Sequence, residues 1–280
     1  MTCHICVTCG VQHVDSEQPP ARCAICEDER QYVGWGGQRW TTLSDMADRY
    51  RNQWEEQEPG LVSLRTEPHF GIGQRAFLVQ TPAGNLLWDC ISLLDDATVA
   101  AVAERGGIDA IAISHPHFYG TCVEWSAAFG DAPMYIHGAD AEWVMRPSPS
   151  VVLWEGETAE PVPGLTLVHL GGHFEGAAVV HWPDGAGGRG ALLTGDTVQV
   201  VMDRRFVSFM WSYPNHVPLR PDEVRGIAAR LGGYEFDRMY GAFEGRSVRS
   251  DARAALTRSA TRYLTRMGAE DGGVTREGGG

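Results

Sequence analysis

The stretch Ile111-Ala112-Ile113-Ser114-His115-Pro116-His117-Phe118-Tyr119-Gly120 decides how the chain is read. The run from Asp109 to Ile113 has the composition of a buried strand, and two histidines leave its end. Pro116 between them bends the backbone and keeps the segment out of helix, so both imidazoles project from one strand end. Neutral histidine nitrogen suits borderline metals at about 2.0–2.1 Å. His115 and His117 are therefore half of a candidate metal site, and the remaining ligands must come from elsewhere in the chain.

Other strand ends carry polar groups beside glycine. Leu170-Gly-Gly-His173-Phe174-Glu175-Gly176 follows an apolar run over 165–170, and Leu192-Leu-Thr-Gly195-Asp196 follows another over 190–194. Asp89 closes Asn85-Leu-Leu-Trp88. The pattern predicts a hairpin from 76–80 to 85–90, further strands at 133–137, 151–154, 177–182 and 237–240, and helices over 95–105, 121–129, 221–231 and 250–267. Strands alternating with fewer helices predict sheets covered by helices. Residues 41–57 read as a helix with Ser44 as N-cap and Met46, Tyr50 and Trp54 as its apolar stripe, stopped by Pro59-Gly60.

The amino-terminal region carries a second chemistry. Five of the seven cysteines fall within the first 26 residues, as Cys6-x2-Cys9 and Cys23-x2-Cys26 plus Cys3. Two such knuckles supply four thiolates for a closed tetrahedral zinc site. Gly10 permits the tight turn after the first knuckle and favours Cys6 and Cys9 over the alternative register starting at Cys3. His4 and His13 read as exposed polar residues. The expected division is a four-cysteine zinc ribbon over 1–40, a linker helix over 41–60, a main domain over 61–268 and a disordered tail over 269–280.

Bulk properties narrow the function. The 280 residues carry a net charge of −13, and all 23 basic residues are arginine. An acidic surface argues against phosphate-backbone binding, and only three arginines lie in the first 40 residues. No nucleic-acid partner and no membrane association are expected, since no apolar run reaches the roughly 20 residues of a membrane span. The start, Met-Thr-Cys-His-Ile-Cys, lacks a signal-peptide pattern, so a cytoplasmic location is expected, with the cysteines binding metal rather than forming disulfides.

Over residues 61–267 the order and spacing of these motifs resemble the metallo-β-lactamase superfamily. The resemblance implies an α/β fold, a four-layer αβ/βα sandwich, here with a small zinc-ribbon module added at the amino terminus. His115 and His117 match the first two histidines of the family's His-x-His-x-Asp-His motif, His173 matches its Gly-His motif, Asp196 matches the metal-bridging aspartate, and Asp89 matches the aspartate that braces the histidine loop. Two further ligands of that motif would fall at positions 119 and 120, which are Tyr119 and Gly120. The last histidine would fall in Tyr240-Gly241-Ala242-Phe243-Glu244, which has none. The resemblance therefore implies a second metal site that has been lost and a first site that is kept, with His115, His117, His173 and Asp196 around one ion.

The function expected is a mononuclear-zinc hydrolase of a small ester, thioester, lactone or amide, with metal-activated water as nucleophile. Asp196 and Glu175 are the candidate bases, and Tyr119 or Tyr240 the candidate oxyanion donor. His69 and His216 are candidates for the pocket mouth; His137, His169 and His181 read as structural. Expected cofactors are one structural Zn2+ in the ribbon and one Zn2+ in the histidine site. His115, His173 and Asp196 also form a two-histidine, one-carboxylate set suited to Fe2+, which gives an oxygenase of persulfide-dioxygenase type as the alternative. A non-catalytic fold that binds a ligand, with the ribbon docking a protein partner, is the third reading.

Overall fold

The computed structural model describes residues 1–269; the expected tail beyond them lies outside the described residues. Seven strands lie side by side in chain order: Arg51–Glu58, Leu61–Glu67, Arg75–Thr81, Gly84–Trp88, Ala110–Ala112, Met134–His137 and Val151–Trp154. The first four are antiparallel, and the last three join in parallel. A second sheet runs Thr158–Val162, Leu165–His169, Ala178–Trp182, Ala191–Leu193, Arg238–Tyr240 and Ser247–Val248.

Alternation along the strands decides which faces meet. Phe77 and Val79 face the second sheet and pack with Leu86, Trp88, Leu165, Leu167, Val180 and Leu193, all buried. Ala76 and Leu78 point the other way, into a core with Ile111, Val102 and Trp125 beneath the helices Asp96–Ala103 and Cys122–Ala128. On the far side, Val168, Val179, Leu192 and Met239 pack under Pro221–Leu231 and Ala252–Arg266. The result is four layers, helix on sheet on sheet on helix, as expected. Ala110–Ala112 and Ala191–Leu193 are buried throughout; their carboxyl ends, followed by Ser114–His117 and Thr194–Asp196, open at the same edge of the sandwich.

Two expectations change. The helix read over 41–57 is a short turn of helix, Leu43–Ala47, followed by the strand Arg51–Glu58. Thr42 rather than Ser44 is its N-cap, accepting a hydrogen bond from Asp45 N. Tyr50 and Trp54 mimic helical spacing, but Pro59-Gly60 turns a hairpin that pairs Trp54 with Leu64. Cys6, Cys9, Cys23 and Cys26 are buried in the same core as Leu64, Ile111 and Trp125. Among the described residues no helix is long and apolar enough to cross a membrane.

Candidate metal centre

His115, His117, His173 and Asp196 come from three strand ends and meet at one point, with one ligand atom from each lying within 4.8 Å of all the others. All four are buried. The Nε2 atoms of His115, His117 and His173 and Oδ1 of Asp196 have no hydrogen-bond partner. Buried polar atoms are almost always paired, so orphan atoms on all four residues of one cluster are the signature of a ligand they are built to hold.

The opposite edges of the rings are held. Ser114 Oγ lies 2.8 Å from His115 Nδ1, and the Met210 carbonyl lies 3.1 Å from His173 Nδ1. An Nδ1–H donated to that carbonyl fixes the tautomer that leaves Nε2 as a metal donor. Asp89 sits at φ 60°, a left-handed conformation that aspartate tolerates better than most residues. From there its Oδ1 accepts a hydrogen bond from Ser114 N at 2.7 Å, so it braces the residue before His115. Tyr213 donates its hydroxyl to the Asp196 carbonyl at 2.8 Å.

Electrostatics suit a cation. Burial drives His115 and His117 well below the ordinary histidine range and His173 down to about 4, so the imidazoles are neutral with free electron pairs. Burial pushes Asp196 up to about 7. A divalent ion would offset that desolvation by pairing with the carboxylate.

The positions that the resemblance assigned to a second metal site are taken up by other contacts. Gly120 has φ 50°, and a Cβ there would lie 2.8 Å from the Ile91 carbonyl oxygen. No histidine fits that position. Phe243 stands in the carboxyl-terminal loop and meets Phe118 with ring centroids 6.2 Å apart. Among the described residues, the only clusters with metal-ligand geometry are the histidine group and the four cysteines.

In the four-cysteine group, Cys6 and Cys26 sulfurs lie 3.5 Å apart and Cys9 and Cys23 sulfurs 3.7 Å apart. A zinc tetrahedron with bonds of about 2.3 Å has edges of about 3.8 Å, so the spacing fits. Cys3 stands outside the group. Gln38 Nε2 donates to Cys6 Sγ at 3.2 Å. His13 is buried rather than exposed, its ring edge-on to Trp40 and its Nε2 3.5 Å from Cys23 Sγ. His4 is also buried.

Several candidates fall elsewhere. Glu175 is two residues from His173, yet its largely exposed side chain pairs with Arg30 at 3.0 Å rather than joining the cluster. The Tyr119 hydroxyl donates to the Asp140 carbonyl at 3.3 Å, so it braces a neighbouring loop instead of facing an oxyanion. Tyr240 donates to Glu58 Oε1 at 2.8 Å between the sheets. His69 turns back on the Gly71 carbonyl, and His216 is exposed; neither joins the group. His137 stacks on His169 at 3.8 Å, and His181 contacts the Glu235 carbonyl. Ser114, Met210 and Arg30 carried no signal of their own in the sequence. Only Ser114, adjacent to His115, was open to inference by position.

No family model matches the chain. The uncharacterized protein YmaE of Bacillus subtilis (strain 168) is 50% identical over 272 residues, covering 96% of this chain and 98% of that protein. The chain belongs to the YmaE family. The solved structures of VMB-1 and of the DIM-1 metallo-β-lactamase superpose with TM-scores of 0.58 at 13% and 16% identity, covering 78% and 77% of this chain and 98% of each of theirs. A metallo-β-lactamase from Cronobacter sakazakii with a HARLDQ motif gives a TM-score of 0.51 at 18% identity, over 77% of this chain and 93% of that one. The fold of this YmaE relative is thus the metallo-β-lactamase fold, and the chain carries a four-cysteine cluster beside its histidine group.

Proposed function

We propose that this YmaE-family protein is a mononuclear metal-dependent hydrolase of a small ester, thioester, lactone or amide. The observation that carries the reading is the convergence of one donor atom from each of His115, His117, His173 and Asp196, all buried and each with a side-chain polar atom that has no hydrogen-bond partner. Three neutral imidazoles and a carboxylate suit a tetrahedral zinc ion. When bound, such an ion polarises a carbonyl and lowers the pKa of water to about 7.

The chain's own residues supply the rest. Ser114 and the Met210 carbonyl hold two rings by Nδ1, so no reorganisation is needed during turnover. Phe118 and Phe174, both fully buried, wall the cluster and exclude bulk water. Asp196 is the one carboxylate of the cluster, its Oδ2 3.8 Å from His115 Nε2, and it is the group placed to take a proton from the attacking water and return it to the leaving group. Participation of His117 alongside His115, His173 and Asp196 favours this reading over the two-histidine, one-carboxylate iron set.

The test is turnover of a panel of small esters, thioesters, lactones and amides by zinc-loaded full-length protein and by Asp196→Asn. Wild type is expected to hydrolyse at least one class, and the variant to lose on the order of 100- to 10,000-fold in kcat. Wild type without turnover on any class, or a variant as active as wild type, would contradict the proposal.

A further inference from the structure

We propose that Arg30 is a positioning residue for the histidine site, so that the four-cysteine module forms one wall of the metal centre. The inference rests on the histidine group of the proposed function as a built site, not on any particular reaction.

Arg30 follows the second knuckle directly, beyond the short helix Ala24–Glu27 that carries Cys26. Its guanidinium is almost wholly buried. Asp28 takes two edges of the fork, Nε to Oδ1 at 2.7 Å and Nη2 to Oδ2 at 3.0 Å. A planar fork held at two nitrogens has little freedom left. The remaining nitrogen, Nη1, reaches across to the loop of the third histidine, donating to Glu175 Oε2 at 3.0 Å and to the His173 carbonyl at 3.4 Å. The cationic face lies 3.8 Å from the centroid of Phe174, with Trp143 and Trp211 at 5.5 and 5.6 Å. Phe174 in turn touches His117 and His173 edge-on, at 4.9 and 5.3 Å. One side chain from the cysteine module therefore holds the backbone of one ligand and the ring that packs between two of them.

The backbone around Arg30 is fastened to the loop that orients the same histidine. Ser212 Oγ donates to the Arg30 carbonyl at 3.1 Å, and Asn215 Nδ2 donates to the Glu29 and Gln31 carbonyls. Met210, whose carbonyl holds His173 Nδ1, lies in that loop. The first knuckle grips the other histidine loop. Gln12 N donates to the Gly120 carbonyl at 2.9 Å, and Ser92 Oγ donates to the Gly10 carbonyl at 2.7 Å. At Gly10 (φ 83°) a Cβ would stand 2.5 Å from Ser92 Oγ, so the close approach needs glycine. Each knuckle thus clamps one of the two loops that carry the histidines, and the four-cysteine cluster joins the knuckles. Burying a cation is costly. Here the cost falls on a side chain whose reach across the fold ends at His173 and its neighbours.

The test uses full-length protein loaded with Co2+, in which thiolate charge-transfer absorption reports the cysteine site and ligand-field bands report the histidine site. Arg30→Met keeps the apolar stem and leaves the four cysteines untouched. It is expected to weaken cobalt at the histidine site by about 10–100-fold, as loss of a partner behind a metal ligand generally does, with the thiolate band unchanged. Arg30→Lys restores charge without the fork and should recover only part. Arg189→Met, which removes an exposed ion pair with Asp237, should change nothing. Hydrogen exchange is read on the same proteins: the amides of Gly176 and Asn215, which donate to Asp140 Oδ1 and Ser212 Oγ, should exchange faster in Arg30→Met. Histidine-site affinity within twofold of wild type would overturn the proposal. If the wild-type histidine site takes no cobalt, the proposed function falls with its metal. Exchange then decides: faster exchange in the variant sustains Arg30 as the clamp, and unchanged exchange overturns it.

Discussion

At the scale of single residues, burial is used to set charge states around one edge of the sandwich. Asp140 shows this outside the ligand set. It is buried, its Oδ1 accepts from Gly176 N at 2.7 Å, and burial pushes its carboxyl up to about 7. In the unfolded chain it ionises near its ordinary value of about 3.9. As pH rises from 4 to 7 the unfolded state releases this proton while the folded state keeps it, so stability falls, and above 7 the penalty is constant. Asparagine at this position keeps the acceptor oxygen and does not titrate. The stability of Asp140→Asn relative to wild type, measured by urea unfolding, should therefore climb by about 2–4 kcal/mol between pH 4 and 7 and then level off. A difference that stays flat across that range would contradict the assigned shift. The four residues of the cluster stood out in the sequence, because each follows an apolar strand and stands beside a glycine or proline, and the family resemblance assigned them to one ion. Glu175 and Tyr119 were misread for the opposite reason. Proximity in sequence to a ligand says nothing about side-chain direction, and Arg30 and the Asp140 carbonyl, which claim them, lie 145 and 21 residues away.

At the scale of elements, the long apolar runs announced themselves and the edge strands did not. The helix Pro221–Leu231 coincides with its expected bounds. The strand Arg51–Glu58 was read as helix because Met46, Tyr50 and Trp54 recur every four residues. As the outermost strand of its sheet, it is only partly buried and shows little alternation. Thr158–Val162, at the edge of the other sheet and carrying Glu160 and Pro161, escaped notice because so little of it is apolar. The strand Arg51–Glu58 is nevertheless tied to the second sheet by Glu58. Its carboxylate accepts from Tyr240 Oη at 2.8 Å, Arg238 Nη1 at 2.7 Å and Ala186 N at 2.8 Å. Removing it strands three donors. Glu58→Ala should lose about 2–4 kcal/mol in chemical unfolding while metal content stays at the wild-type level. A loss below about 0.5 kcal/mol, the scatter of surface substitutions, would show that the link contributes nothing.

At the scale of the whole molecule, two clusters with metal-ligand geometry, far apart in sequence, are built into one edge of a four-layer sandwich. Sheets covered by helices were visible in the alternation of strands and helices and the cysteine set in its spacing, while the four-layer sandwich and the histidine set came through the family resemblance. Contact between the two sets was not visible, since hydrogen bonds such as Gln12 N to Gly120 O and Ser212 Oγ to Arg30 O depend on the folded path and not on residue type. Metal content of native full-length protein by elemental mass spectrometry, beside a His115→Ala/His173→Ala variant, tests the central claim most directly. The account predicts two equivalents of divalent metal in wild type and one in the variant, the survivor being the zinc held by Cys6, Cys9, Cys23 and Cys26. A single equivalent in wild type that the histidine variant retains would contradict it.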